Sequence, residues 1–206
     1  MCIRDSLLIF GKTTGDHDKR EYDEMEAHDV AVQLVKEWAT DNERPISEAD
    51  IRTLNKTLLV KPFWADAKTP DGQDTRRQII PGEYKSMPNH VQLPSGEIFR
   101  YAEPGEVIQK MQELIDWYRN ETSEMHPIVV ASRLHYRFVC IHPFDDGNGR
   151  VSRLLMNYHL MKNGYPPVVV KTDDKKKYLT ALNKACLLYT SPSPRDATLS
   201  RMPSSA

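Results

Sequence analysis

His142-Pro-Phe-Asp-Asp-Gly-Asn-Gly-Arg150, closed three positions on by Arg153, is the stretch on which the reading of this chain turns. An apolar helical pattern precedes it (Val129, Val130, Leu134, Phe138, Val139) and another follows it (Leu154, Leu155, Tyr158, Met161). The polar run therefore occupies a loop between two buried helices and opens at the N-terminus of the second. Unpaired backbone N–H groups and the positive end of the helix dipole bind anions there.

The residue types suit a polyphosphate. His142 has an ordinary pKa near ~6.5 and can accept a proton from a hydroxyl. Asp146 is a hard oxygen ligand for magnesium, which takes one or two carboxylates plus phosphate oxygens. Gly147 and Gly149 allow close backbone approach, and Asn148 can donate its amide to a phosphate oxygen. Arg150 and Arg153, three apart on a helix, can fork onto phosphates from its first turns. Phe144 is expected to turn inward, and Asp145 to face solvent. Plainer readings compete: a polar turn, or metal ligation by His142, Asp145 and Asp146. The calcium-loop spacing and its terminal Glu are absent, and no paired His or Cys stands at ligand spacing.

Taken whole, the run resembles the signature of the Fic (Fic/Doc) family, His-x-Phe-x-[Asp/Glu]-Gly-Asn-Gly-Arg-x-x-Arg, at every specified position. His135, Phe138, Ile141, Leu154-Leu-Met-Asn157, Asn163-Gly-Tyr-Pro-Pro167 and Glu26-Ala27-His28 also read like a bacterial Fic domain. The resemblance implies a nucleotidyltransferase, a protein adenylyltransferase moving AMP from ATP to a Ser, Thr or Tyr hydroxyl of a target protein. By the same resemblance His142 is the base and Asp146 holds Mg2+. Gly147, Asn148 and Gly149 form the anion hole, Arg150 and Arg153 meet the outer phosphates, and Tyr178 borders the adenine pocket, a core tyrosine being the alternative. Gly149 stands where the kinases of the family carry Lys, which favours nucleotidyl transfer. Transfer of UMP or phosphocholine, removal of AMP, and a non-catalytic nucleotide-sensing module are the alternatives. The family's inhibitory pattern, [Ser/Thr]-x-x-x-Glu-[Gly/Asn], is not found in this chain.

Outward from the motif the chain reads as an all-α bundle. Met25 to Trp38 repeats at helical spacing. Ser47 with Asp50 marks a helix start continued by Ile51, Leu54, Leu58 and Leu59. Asp66 to Asp74 reads as a polar surface loop. Pro104 opens a helix with Val107, Ile108, Met111, Leu114, Ile115 and Tyr118 buried, and Thr172-Asp-Asp introduces a last one through Tyr178, Leu179 and Leu182. His135 and His28 read as structural histidines, and Lys175-Lys-Lys177 as a solvated face. Arg77 to Tyr101, with turn signals Pro81-Gly82 and Pro94-Ser-Gly96, predicts one short β-hairpin. In the family a flap hairpin over the active site holds the target by strand pairing, which implies a protein partner.

The two ends differ from the rest. Residues 1–6 and 186–191 back-translate into stretches that, outer bases aside, are reverse complements and look like a transposon-based sequencing adapter. Residues 1–6 and 186–206 are therefore expected to be adapter translation flanking a Fic domain at 7–185 that is incomplete at both ends, the alternative being ordinary tails. The 206 residues suffice for one domain, and the formal net charge of −1 gives no basic surface for nucleic acid. Of three cysteines only Cys140 lies inside 7–185, so a lone buried thiol and a reducing cytoplasm are expected. No run approaches the ~18 apolar residues of a membrane span. A homo-oligomer is compatible with the sequence, which does not fix the oligomeric state.

Overall fold

A computed structural model describes residues 19–41, 43–68, 73–92 and 98–190. Among the described residues six helices run in chain order: α1 (Lys19–Thr40), α2 (Glu48–Leu59), α3 (Val107–Asn120), α4 (Pro127–Ile141), α5 (Asn148–Lys162) and α6 (Lys175–Thr190). The motif helix α5 is central and packs on α4, α1 and α2, while α3 and α6 lean on α4. This is the expected helical Fic architecture.

Local chemistry sets the boundaries. Ser47 accepts from the Asp50 N–H and Asp50 returns the bond, a capping box that starts α2 and contributes about 1 kcal/mol. Pro104 begins a 3-10 turn that leads into α3, and Pro127 sits in the first turn of α4. The buried stripes of Ala31 and Val35, Ile51, Leu54 and Leu58, Met111, Leu134 and Phe138, and Leu155 and Tyr158 meet in one core. Phe144 from the motif loop enters that core at 1% exposure, as expected. Four stripe positions do not: Val30, Ile108, Val129 and Leu179 are exposed, because each lies at the margin of its helix's apolar arc.

The β structure differs from the expected single hairpin. Strands β1 (Phe63–Lys68) and β2 (Asp74–Ile79) pair antiparallel from Phe63↔Ile79 to Lys68↔Asp74, where a surface loop was expected. Both faces of this hairpin carry polar residues and Trp64 is exposed, so no apolar alternation betrays it. It is fastened by the Arg20 guanidinium, 3.5 Å from the Phe63 ring centroid. Strands β3 (His90–Gln92) and β4 (Ile98–Arg100) form the second pair, with His90↔Arg100 and Val91↔Phe99. Pro81-Gly82 makes a turn between the two pairs, with Gly82 at φ +77° against the α2 backbone; Pro94-Ser-Gly96 lies outside the described residues.

Cys140 is disulfide-bonded, which corrects the expected lone thiol; its partner's side chain is not among those described. The last helix extends past residue 185, and residues 1–6 and 191–206 of the suspected ends lie outside the described residues. Among the described residues no helix is long and apolar enough to cross a membrane.

Candidate active site

His142 caps the C-terminus of α4 in the left-handed region, φ 51° and ψ 60°, and its N–H donates to the Phe138 carbonyl at 3.0 Å. A glycine would adopt this geometry more cheaply, so the imidazole is kept at a conformational cost. Its ring stacks on Tyr101, with centroids 3.9 Å apart and planes 19° from parallel. Burial, reinforced by the charge of Lys85 and opposed by the backbone at Val139, pushes the His142 pKa down to about 4. The ring is therefore neutral, and able to accept a proton, throughout the physiological range.

Lys85 is itself only 3% exposed. Its N–H donates to the Pro143 carbonyl at 2.8 Å and its Nζ lies 3.5 Å from the Ile141 carbonyl. Burial brings its pKa down to about 8. The adjoining Tyr84 forms an isolated antiparallel bridge with Phe144. The segment before β3 is thus sewn to the motif loop by backbone as well as side chain.

The loop is closed from within. The Asn148 side chain accepts from the Phe144 N–H at 3.0 Å and donates to the Phe144 carbonyl at 2.7 Å. The amide expected to reach for phosphate is committed to the loop. Asn55, fully buried on α2, donates to the Asp146 carbonyl at 2.9 Å and accepts from the Gly82 N–H at 2.8 Å. Gly147 has φ +81°, and a Cβ there would stand 2.9 Å from the Asn55 amide, so glycine is required twice over. Arg150 and Val151 N–H groups both donate to the Gly147 carbonyl. The N–H groups of Asn148 and Gly149 are left as the orphan donors of the α5 first turn.

A cavity of ≈ 260 Å³ lies above that turn, lined by His142, Asp145, Asp146 and the run Gly147 to Arg150, with Arg153. Seven of the eight expected site residues converge on it. Tyr178 is the exception. Its hydroxyl meets His135 Nε2 at 2.7 Å and hydrogen-bonds the Arg153 side chain, so it abuts the site from behind instead of lining the cavity. His135 is the expected core histidine, neutral because burial lowers its pKa to about 4.

Charges are organised around the opening. Asp146 accepts the Gly147 N–H at 2.6 Å through one oxygen, and its other oxygen lies 3.8 Å from Arg150 Nη2. With 44% of its side chain exposed, this carboxylate remains accessible, and one hard carboxylate beside a phosphate site fits magnesium. Among the described residues no group of three or more His, Cys, Asp or Glu could hold a metal by itself. Asp145 does not face solvent as expected: only 12% exposed, it pairs with Arg77 of β2. Arg77 also reaches Asn89, which donates to the Phe144 carbonyl at 3.3 Å. The residues missed by sequence reasoning are Glu24, Asn55, Arg77, Lys85 and Tyr101. Arg77, Lys85 and Tyr101 fall within the expected hairpin segment but carried no role at the site, and for Asn55 the available signal was a buried position, since it shares the helical face of Ile51 and Leu58.

The chain matches the Fic/DOC family over residues 45–160. A protein adenylyltransferase Fic from Drosophila willistoni is 48% identical over 182 residues, covering 87% of this chain and 31% of that protein. The Drosophila virilis counterpart is 47% identical, with 87% and 32% covered. The chain thus spans about a third of the length of these curated relatives. Among solved structures, a Fic domain containing signaling protein from Bacteroides thetaiotaomicron superposes with a TM-score of 0.77 at 42% identity, covering 94% of this chain and 67% of that one. Fic-1 from C. elegans follows at TM-score 0.64 and 25% identity, with 89% and 49% covered.

Proposed function

This chain belongs to the Fic/DOC family, and from that premise we propose that it is a protein adenylyltransferase, moving AMP from ATP to a hydroxyl of a target protein. The observation that carries the reading is the pairing of a buried, neutral His142 with a cavity lined by Gly149, Arg150 and Arg153. The curated relatives named protein adenylyltransferase Fic support it.

In this reading the target hydroxyl is deprotonated by His142 as its oxygen attacks the α-phosphorus; the bond to the bridging oxygen breaks and pyrophosphate leaves. The Asn148 and Gly149 N–H groups receive phosphate oxygens at the α5 N-terminus. Arg150 and Arg153 balance the outer phosphates. Asp146 would hold magnesium, which supplies charge neutralisation to the phosphates when bound. A target segment docks by strand pairing along β3–β4, beside Tyr101 and His142.

The test is incubation of the chain with magnesium and ATP labelled on the α-phosphate, with a γ-labelled parallel and a His142→Ala control. Protein-linked label from the α-position alone, lost in the control, is expected. Label from γ overturns the reading in favour of kinase chemistry. Absence of both, with folded protein and a target-containing extract, overturns it in favour of another donor or a binding module.

A further inference from the structure

Glu24 is the most deeply buried carboxylate described in this chain, 3% exposed on α1, far in sequence from any motif residue. A buried carboxylate is costly unless paired. Glu24 Oε1 accepts from Arg20 Nε at 2.7 Å, and Oε2 accepts from Arg150 Nη1 at 2.8 Å. Each oxygen thus meets an arginine. Arg20 in turn lies over Phe63, so it is held by β1 as well as by α1. The Arg150 side chain is 17% exposed, and the open part faces the cavity, with Nη2 3.8 Å from Asp146.

We infer that Glu24 is a positioning residue for the transfer reaction, one that anchors Arg150 by Nη1 and so aims the rest of its guanidinium at the outer phosphates. The inference rests on the adenylyltransferase reading for what occupies the cavity. Its physical core is that a guanidinium is planar, so one fixed N–H···O contact to a rigid partner constrains where the other donors point. Arg20 holds the other carboxylate oxygen, and its charge leaves the trio with a net positive charge for phosphate. Arg150 then meets its ligand without losing rotamer freedom at that moment, which is the advantage of preorganisation.

Pure electrostatics predicts the opposite sign from positioning. Removing the Glu24 charge makes the cavity more positive, which by itself tightens anion binding. Glu24→Gln is therefore titrated with inorganic pyrophosphate and magnesium beside the unaltered chain, with Arg20→Met as the control that leaves the Glu24–Arg150 contact in place. Expected is pyrophosphate binding weakened about fivefold or more, with α-label transfer down roughly tenfold. In side-chain NMR the slowly rotating Arg150 guanidinium signal, assigned by its loss in Arg150→Lys, disappears in Glu24→Gln and persists in Arg20→Met. Equal or tighter pyrophosphate binding overturns the inference, as does an unchanged Arg150 signal. Should the unaltered chain transfer no label, the adenylyltransferase reading fails separately, and the NMR and pyrophosphate results still decide the role of Glu24.

Discussion

At one end of the cavity His142 sits in a dry aromatic setting, stacked on Tyr101 and kept uncharged by burial and by Lys85. At the other, the Arg150 guanidinium is held between Glu24 and Asp146. In the proposed scheme the same helix-to-helix connection therefore holds a group that exchanges a proton and a group that only carries charge. Their surroundings differ accordingly: desolvation moves the imidazole pKa, whereas a paired carboxylate holds the guanidinium in place. A short polar motif supplies both groups, but their division of labour comes from α1 and from the segment around β3–β4.

The comparison breaks most sharply at His142. Replacing it with Ala is expected to lower α-label transfer by about 10²-fold or more, while calorimetric ATP binding changes little; retained transfer would remove the base from the scheme. Gly147→Ala is next, because a left-handed φ and the 2.9 Å approach to Asn55 coincide there. It should lower stability by about 2 kcal/mol in denaturant titration and transfer with it. A variant as stable as the parent would show that the loop has room.

Smaller changes sharpen the contrast. Tyr101→Ala should reduce transfer roughly tenfold by freeing the imidazole, and Tyr101→Phe should restore it; equal loss in both would assign the effect to the hydroxyl. Lys85→Met should act through pH. With His142 held at about 4, the base stays neutral down to that pH. With Lys85 removed, burial, the larger cause, still holds the pKa down, so it rises only part of the way: the acid limb of the rate profile moves to higher pH and the rate at pH 8 is nearly unchanged. A pH–rate profile identical to the parent would discard this role.

A last expectation concerns stability. His135, His142 and His159 are all pushed down to about 4 by burial. Below pH 6.5 the unfolded chain takes up protons that the folded state resists. Stability is thus full above 6.5 and is lost as pH falls toward 4. A melting temperature flat across pH 4–7 would contradict the burial of these rings.

Much of this was legible in the chain itself. Capping at Ser47, helix-opening prolines and apolar stripes at 3.6-residue spacing are local signals, and they placed α1 to α6. The motif listed its own ligands because a loop and one helical turn bring neighbours in sequence together in space. The hairpin β1–β2 was not legible, since a ribbon polar on both faces has no period to read. Nor was the pairing of Asp145 with Arg77, or of Arg150 with Glu24, because like-looking charges abound and only packing selects which of them meet. Tyr178 was expected at the adenine pocket or in the core, and the partners it meets, His135 and Arg153, were decided by α6 docking against α4.

The sequence by itself determined which groups stand together here: an imidazole, a carboxylate, two arginines and a helix N-terminus, held at fixed spacing. Only the tertiary structure decided their states, a histidine made neutral by desolvation and an arginine aimed by a carboxylate from another helix. Burial and orientation are properties of the surroundings, and those surroundings are assembled from residues that no local pattern connects.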